Sequence, residues 1–353
     1  MESLAESLKR LTAPGKLFRV LPDARLECFA CAMRCKLKGG QTGACRVRFN
    51  QGGKLMVPWG YVAGLQADPI EKKPFFHVLP GSRSLSFGML GCCYTCDFCQ
   101  NWVSSQALRD PAAGHAVRPC SPRDIVKAAA DDGCLTVTST YNEPLITSEW
   151  AVEVFGEAKK ADLRCCYVSN GSATPEVLAF LRPWVDFYKV DLKCFDEGTY
   201  RRLMGGSLKA VLDSIAAMRE LGFWVEVVTL LLPGVNDSER ELSALARFLA
   251  SVSPDIPWHV TAYHRDYRME GPESTPAATV LKAAQLGKAA GLRYVYAGNL
   301  SGDTGGWEDT ACPSCGAVLV ERRGFRVMGS RLALDGSKGS CPECRRDIPG
   351  VWA

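Results

Sequence analysis

The sequence predicts an α/β protein built on a partial (β/α)6-type barrel, with a cysteine-rich segment before it and a four-cysteine ribbon after it. Three observations carry this expectation. Between about residue 84 and residue 298, short β-rich runs alternate with amphipathic helical stretches, the signature of parallel β/α units. A polar or glycine-containing cluster follows the carboxyl end of each run, the face on which such barrels bind ligands. Most of the 17 cysteines fall into three groups with ligand-like spacing. The corresponding division is residues 1–80 for an N-terminal metal-binding segment, 81–300 for the barrel and 301–353 for the ribbon.

Composition narrows the function classes. At 353 residues and 47% hydrophobic content, the chain can bury a sizeable core. The formal net charge is only +4 with acids and bases interspersed, which argues against a nucleic-acid or anionic-membrane surface. No apolar stretch reaches membrane-spanning length, and Met1 to Leu8 reads as an amphipathic helix rather than a signal peptide, so a cytoplasmic protein is expected. The cytosol keeps thiols reduced, and metal binding then explains the cysteines better than disulfides do.

The first group is Cys28, Cys31, Cys35 and Cys45, with Gly39, Gly40 and Gly43 giving the flexible return that brings Cys45 back to the others. Four thiolates at this spacing suit zinc or an auxiliary 4Fe-4S cluster, and spacing alone does not separate them. The first barrel run, 84–90, then leads into Gly91-Cys92-Cys93-Tyr94-Thr95-Cys96-Asp97-Phe98-Cys99. Cys92, Cys96 and Cys99 are spaced C-x3-C-x2-C, with Phe98 just before the last thiolate. A 4Fe-4S cube normally takes four cysteines, so a loop of three leaves one iron open to a ligand that is not protein. Cys93 also begins a Cys93-x2-Cys96-x2-Cys99 series, as in an electron-carrying ferredoxin. That series expects a further cysteine and proline shortly after, and Gln100-Asn101-Trp102-Val103 supplies neither. A structural zinc site would also want a fourth ligand nearby. Cys93 is left as an accessory thiol of open role.

The remaining runs are 134–139, 165–169, 187–191, 223–232, 258–263 and 293–297, and helices are expected over 122–132, 149–161, 208–221, 238–250 and 277–290. Behind the runs come Thr140-Tyr141-Asn142-Glu143-Pro144, Ser169-Asn170-Gly171, Asp191-Leu192-Lys193, Tyr263-His264 and Gly298-Asn299. His259 falls inside a run and reads as structural. In the tail, Cys312-x2-Cys315 and Cys341-x2-Cys344 form two knuckles, a spacing that points four sulfurs at one tetrahedral zinc ion. Such a closed site folds the tail and presents a surface to a partner or to the barrel mouth.

The cysteine loop resembles the cluster motif of the radical S-adenosylmethionine enzymes, and the following clusters resemble those of the pyruvate formate-lyase activating type. The resemblance implies that Cys92, Cys96 and Cys99 hold a 4Fe-4S cluster whose open iron binds S-adenosylmethionine, which is cleaved to a 5'-deoxyadenosyl radical that abstracts hydrogen. It further implies that Glu143 accepts the methionine ammonium, with Phe98, Asn142, Ser169, Asn170, Asp191, Lys193 and His264 near the cofactor. A reductant such as flavodoxin or ferredoxin would supply the electron. More narrowly, Gly43-Ala44-Cys45-Arg46-Val47-Arg48, Pro69-Ile70-Glu71-Lys72-Lys73-Pro74-Phe75-Phe76-His77, Cys99-Gln100-Asn101-Trp102 and Ile348-Pro349-Gly350-Val351-Trp352 look like the AmmeMemoRadiSam system radical S-adenosylmethionine family. That name implies Memo-like and AMME-type partners but no substrate, and His77 takes no role from it. An activator of a glycyl radical enzyme is the alternative within the same chemistry. A non-catalytic zinc or iron-sulfur scaffold that binds a partner is the alternative of another class.

Overall fold

The computed structural model describes residues 4–114, 116–302 and 304–353. All seven expected runs are strands of one sheet. We label them β2 Arg83–Gly88, β3 Thr136–Ser139, β4 Arg164–Ser169, β5 Phe187–Asp191, β6 Trp224–Leu231, β7 Trp258–Ala262 and β8 Val295–Gly298, preceded by β1 Gly64–Pro69. Their order in the sheet is their order in the chain, and β2 to β8 are parallel. The connections are made by α1 Pro122–Asp131, α2 Ser148–Lys160, α3 Pro175–Leu181, α4 Leu208–Glu220, α5 Glu239–Val252 and α6 Ala277–Ala289. Seven parallel strands with a helix in every crossover make the partial (β/α)6-type barrel the sequence predicts.

Local chemistry sets the helix starts. Ser121 and Asp124 form a reciprocal capping box ahead of Pro122, and Ser238 caps α5 by accepting from the amide of Glu241. Of the strands and helices labelled above, two fall outside the expected set. Helix α3 has seven residues behind Thr174-Pro175, too short to show a 3.6-residue period, and β1 pairs antiparallel with β2 as an edge strand.

The inward faces of the strands form two layers, because side chains alternate with period two. In the lower layer Phe187, Glu226, His259 and Tyr296 meet the segment that follows β1. The Glu226 carboxylate accepts from the amides of Phe76 and His77, both at 3.0 Å, and from Nε2 of His259 at 2.7 Å. His77 donates from Nδ1 to the Pro349 carbonyl at 2.6 Å, which leaves its Nε2 to accept from the Tyr296 hydroxyl at 2.6 Å. Burial pulls its pKa to about 4, so it stays neutral. His77 thus takes a structural role, and His259 the one expected of it.

The C-terminal unit has two three-stranded antiparallel sheets, one of strands 310–311, 318–323 and 326–330, the other of strands 333–335, 338–340 and 347–348. It is fastened to the barrel by Arg322, whose buried guanidinium lies 4.4 Å above the Phe76 ring and donates to the Phe76 carbonyl at 2.6 Å and to Thr310 Oγ1 at 2.8 Å. The tail amide of Val351 adds a hydrogen bond to the His77 carbonyl at 2.8 Å. The lower end of the barrel is therefore plugged, and only its upper layer is left to form a cavity.

At the other end of the chain, short strands over 12–14, 49–51 and 54–58 make one sheet and those over 18–20, 26–28 and 36–37 a second. Leu4–Arg10 is helical, while residues 1–3 of the expected N-terminal helix lie outside the described residues. No helix among the described residues is long and apolar enough to cross a membrane.

Candidate active site at the carboxyl ends of the strands

The cysteine loop leaves the carboxyl end of β2 and is pinned from several sides. Arg109 donates to the Cys92 carbonyl at 2.8 Å and to Gln106 Oε1 at 3.0 Å, and it also reaches the Ala44 carbonyl. Gln106 donates to the Tyr94 carbonyl at 3.2 Å, and the Thr95 amide to the Met204 carbonyl at 2.9 Å. Gly206 lies flat under Tyr94, where an added Cβ would come within 2.4 Å of the ring. Backbone held this firmly can aim three sulfurs without depending on a bound group.

Cys92, Cys96 and Cys99 line one side of a cavity of about 410 Å3, together with Phe98. The Cys92 sulfur accepts from the Tyr94 amide at 3.3 Å, and the Cys99 sulfur meets Ser105 Oγ at 3.2 Å. Burial pushes the Cys96 and Cys99 thiols up, and the nearby charge of Lys193 works against that rise. The opposite walls come from the strand ends. Val168 and Ser169 of β4, Lys189 and Asp191 of β5, Val228 and Leu230 of β6, and Thr261 of β7 all face it.

Glu143 is 3% exposed, and its carboxylate is braced by three donors. Oε1 accepts from Ser169 Oγ at 2.7 Å and the Leu145 amide at 3.1 Å, while Oε2 accepts from the Asn170 amide at 2.8 Å. A carboxylate offers about four acceptor positions, so capacity is left on Oε2. Burial nonetheless raises its pKa to about 7, the hydrogen bonds only partly offsetting the desolvation. The turn beneath it demands glycine, since Gly171 has φ +72° and an added Cβ would lie 2.5 Å from Val190.

Asp191 stands between two ammonium groups, with Lys193 Nζ at 3.3 Å and Lys189 closer still. Burial would raise its pKa, but the two lysines win and hold it at about 2. Lys193 is also 5.9 Å from the centre of the Phe98 ring, which brings the β5 end against the cysteine loop.

Other expected residues prove to be braces. Asn142 accepts from the Met89 amide at 3.0 Å through Oδ1, so its side chain fixes the end of β2 while lining the cavity. Asn170 turns its amide toward Cys93, at 3.3 Å, and accepts from the Ser172 amide at 2.9 Å. His264 is exposed and stands outside the cavity lining. Its contact with the site runs through Gln100, whose amide lies 3.1 Å from Nε2.

The remaining cysteines divide by spacing. Cys312, Cys315, Cys341 and Cys344 bring all four sulfurs within 4.8 Å of one another, with Cys312 to Cys344 at 3.5 Å and Cys315 to Cys341 at 3.6 Å. Metal-sulfur bonds of about 2.3 Å around one tetrahedral ion require sulfur separations of about 3.8 Å. Among the described residues no other three cysteine sulfurs gather so closely, so Cys28, Cys31, Cys35 and Cys45 stand wider apart, as do those of the loop. Cys93 is buried between the two, beside both Cys31 and Cys92.

The model of the radical SAM superfamily matches residues 88–246. Over 333 residues the chain is 33% identical to the uncharacterized protein MJ0808 of Methanocaldococcus jannaschii, covering 94% of this chain and 97% of that one. The chain belongs to the radical SAM superfamily. It is also 23% identical to the pyruvate formate-lyase-activating enzyme of Staphylococcus epidermidis over 195 residues, 53% of this chain and 76% of the relative. To the 4-hydroxyphenylacetate decarboxylase activating enzyme of Clostridium scatologenes it is 25% identical over 227 residues, 61% of this chain and 62% of the relative. Superposed on Streptococcus suis SuiB, it gives a TM-score of 0.49 at 13% identity, covering 66% of this chain and 52% of SuiB.

Several residues of this cavity were not singled out in the sequence. Lys189 had a readable signal, because Lys189 and Asp191 are two apart on one strand and must share a face. Lys72, Lys73 and Phe325 had none, since they arrive from the segment after β1 and from the C-terminal unit.

Proposed function

We propose that this radical SAM enzyme reductively cleaves S-adenosylmethionine and abstracts hydrogen from a substrate bound in the same cavity. The observation that carries the reading is convergence. Three loop thiols, a carboxylate with spare acceptor capacity and the Asp191–Lys193 pair line one cavity above a plugged barrel. A 4Fe-4S cluster fits the donor set, since three soft thiolates wider apart than a single ion allows suit a cube with one open iron. When bound, the reduced cluster and S-adenosylmethionine supply a 5'-deoxyadenosyl radical. The chain's own residues would hold the amino-acid end of that cofactor. Glu143 would take the ammonium and Lys193 the carboxylate, while Ser169 and the Asn170 amide keep the Glu143 carboxylate aimed.

Anaerobic incubation of the reconstituted, reduced chain with S-adenosylmethionine tests this, with 5'-deoxyadenosine and methionine measured by liquid chromatography. Their formation is expected. A cluster-loaded chain that yields neither, in the presence of reductant, would count against the reading. The names of the relatives favour a second reading, that the hydrogen donor is a glycyl residue of a protein, with a flavodoxin or ferredoxin as reductant. The segments shared with the AmmeMemoRadiSam family support a narrower place, in a system with Memo-like and AMME-type proteins, and binding of those proteins by the purified chain is its test.

Cofactor affinity should depend on pH through Glu143. An incoming ammonium favours the ionised carboxylate, so binding below about pH 7 must release the proton that burial keeps there. Affinity is expected to be flat above about pH 7 and to fall by up to roughly tenfold per unit below it. Anaerobic equilibrium dialysis of Glu143→Gln should show weaker binding and a flattened profile. An unchanged slope in that variant would remove Glu143 from the role.

We assign zinc to Cys312, Cys315, Cys341 and Cys344, whose sulfur spacing suits one ion. The wider N-terminal group of Cys28, Cys31, Cys35 and Cys45 suits an auxiliary 4Fe-4S cluster better than zinc. Metal analysis of the full chain is then expected to give about one zinc and the iron of two cubes. Cys315→Ser should lose the zinc and keep the iron, whereas two zinc ions and a single cube would return the N-terminal group to zinc.

A further inference from the structure

Four lysines belong to the cavity, and they are arranged as two triads. In one, Lys189 and Lys193 share Asp191. In the other, Lys72 Nζ lies 2.8 Å from Asp68 Oδ1 and Lys73 Nζ lies 2.7 Å from Asp68 Oδ2. Each carboxylate oxygen of Asp68 is thus taken by one ammonium, and the triad keeps one positive charge. Lys73 is 5% exposed, and the charge of Lys189 bears on it from the other triad. Only Glu143 adds a further carboxylate to the lining, so four cations face three anions.

Buried surplus charge is costly and persists where a ligand completes it. With the cube oxidised the cofactor does not absorb it, because the single net positive charge of S-adenosylmethionine is balanced by the single net negative charge of a 2+ cube held on three thiolates. Lys73 has the means to bind more. An ammonium carries three donors, and its described polar contact uses one, on Asp68, with the Tyr141 ring 5.2 Å away.

We propose that Lys73, with Lys72 and on the Asp68 carboxylate, holds an anionic group of the substrate, a carboxylate or a phosphate, in the cavity that the cysteine loop lines. This rests on the reading of that cavity as the radical site. It places the reactive body of the substrate between a charged anchor contributed by the segment after β1 and the loop of three cysteines. Neutral substrates and simple hydrocarbons would be poor ligands.

The test is isothermal titration calorimetry on the full chain, reconstituted, kept oxidised and saturated with S-adenosylmethionine so that the cofactor's own carboxylate position is filled. Acetate, inorganic phosphate and the neutral acetamide are the titrants. Saturable binding of acetate or phosphate but not acetamide is expected, and which anion binds tighter separates a carboxylate from a phosphoryl group. Loss of one charge-assisted contact should weaken that binding by roughly tenfold or more in Lys73→Met, while Lys73→Arg retains it. Lys72→Met, at a half-exposed position, gives a second variant should Lys73→Met fold poorly. The proposal is overturned by no saturable anion binding in the unmodified chain, by equal binding of acetamide, or by unchanged affinity in both methionine variants. The titration involves no turnover and is repeated without S-adenosylmethionine. A chain that binds the anion but never cleaves the cofactor therefore fails the function proposed above and not this inference.

Discussion

Cys96→Ala should reduce 5'-deoxyadenosine formation to background and remove one cube's worth of iron. Cys96 is the most buried of the three loop cysteines, with the charge of Lys193 nearby. Burial keeps its thiol protonated in the metal-free chain, so loading must displace that proton, and alanine offers nothing to replace the bond. Partners that merely orient a metal ligand typically contribute about 10–100-fold, so loss of the ligand itself should exceed that range. Cys93→Ala is the informative control. Its sulfur lies between Cys31 of the N-terminal group and Cys92 of the loop, with the Asn170 amide 3.3 Å away. If the loop reads C-x3-C-x2-C, the Cys93 variant keeps cofactor cleavage. If it reads as a ferredoxin series, Cys93→Ala fails and Cys92→Ala survives. Iron content and cleavage, measured on the same anaerobic preparations, decide between the two.

The parallel sheet was legible because short runs with apolar residues alternate with helices, five of the six crossovers carrying a helix long enough to show its period, and right-handed crossovers then leave little choice of order. The cavity lining was legible where a single turn carries the whole motif, as in Cys92 to Cys99 or Tyr141 to Glu143. It was less legible where a side chain serves the backbone instead. Asn142 has the same polar character whether it meets a cofactor or caps the Met89 amide, and only the fold distinguishes these. His264 lies outside the lining, because a position after β7 fixes which end of the barrel it occupies but not whether its ring enters. Lys72 and Lys73 could not be placed at all. Their partner Asp68 is local, but the position of Lys73 over Tyr141 depends on β1 pairing with β2 and on the plug below it. The C-terminal unit was expected to present a surface, and what it presents is Phe325 at the cavity wall and Arg322 in the plug.

The N-terminal segment meets the barrel through several contacts, among them Arg34 to Glu176, Thr174 to the Phe29 carbonyl and Arg109 to the Ala44 carbonyl, and the one whose loss should cost most is a fully buried ion pair. Arg48 binds Glu149 of α2 bidentately, Nη1 to Oε2 and Nη2 to Oε1, both at 2.7 Å, with each side chain 2% exposed. Arg48 also donates to the Ile146 carbonyl at 3.0 Å, and Glu149 accepts from the amides of Lys16 and Leu17 at 3.1 and 3.2 Å. Burial alone would neutralise both groups, but each holds the other charged, Glu149 below and Arg48 above its ordinary pKa. Removing either partner strands a charge, and Arg48→Ala or Glu149→Ala should cost about 3–5 kcal/mol in a chemical denaturation series. That is a large share of a typical stability of about 5–15 kcal/mol. The double variant Arg48→Met, Glu149→Leu should recover much of the loss, since it removes both charges and keeps the volume. The pH dependence has a definite sign. The folded pKa of Glu149 lies below its ordinary 4.5, so its contribution is full above about pH 4.5 and is lost as pH falls through the lower folded value. Arg48 also lies within the field of Cys28 and Cys45, so either single variant should expose the N-terminal thiols to alkylation before the barrel unfolds. Equal protection of those thiols and of the loop cysteines in Glu149→Ala would show instead that segment and barrel unfold as one unit.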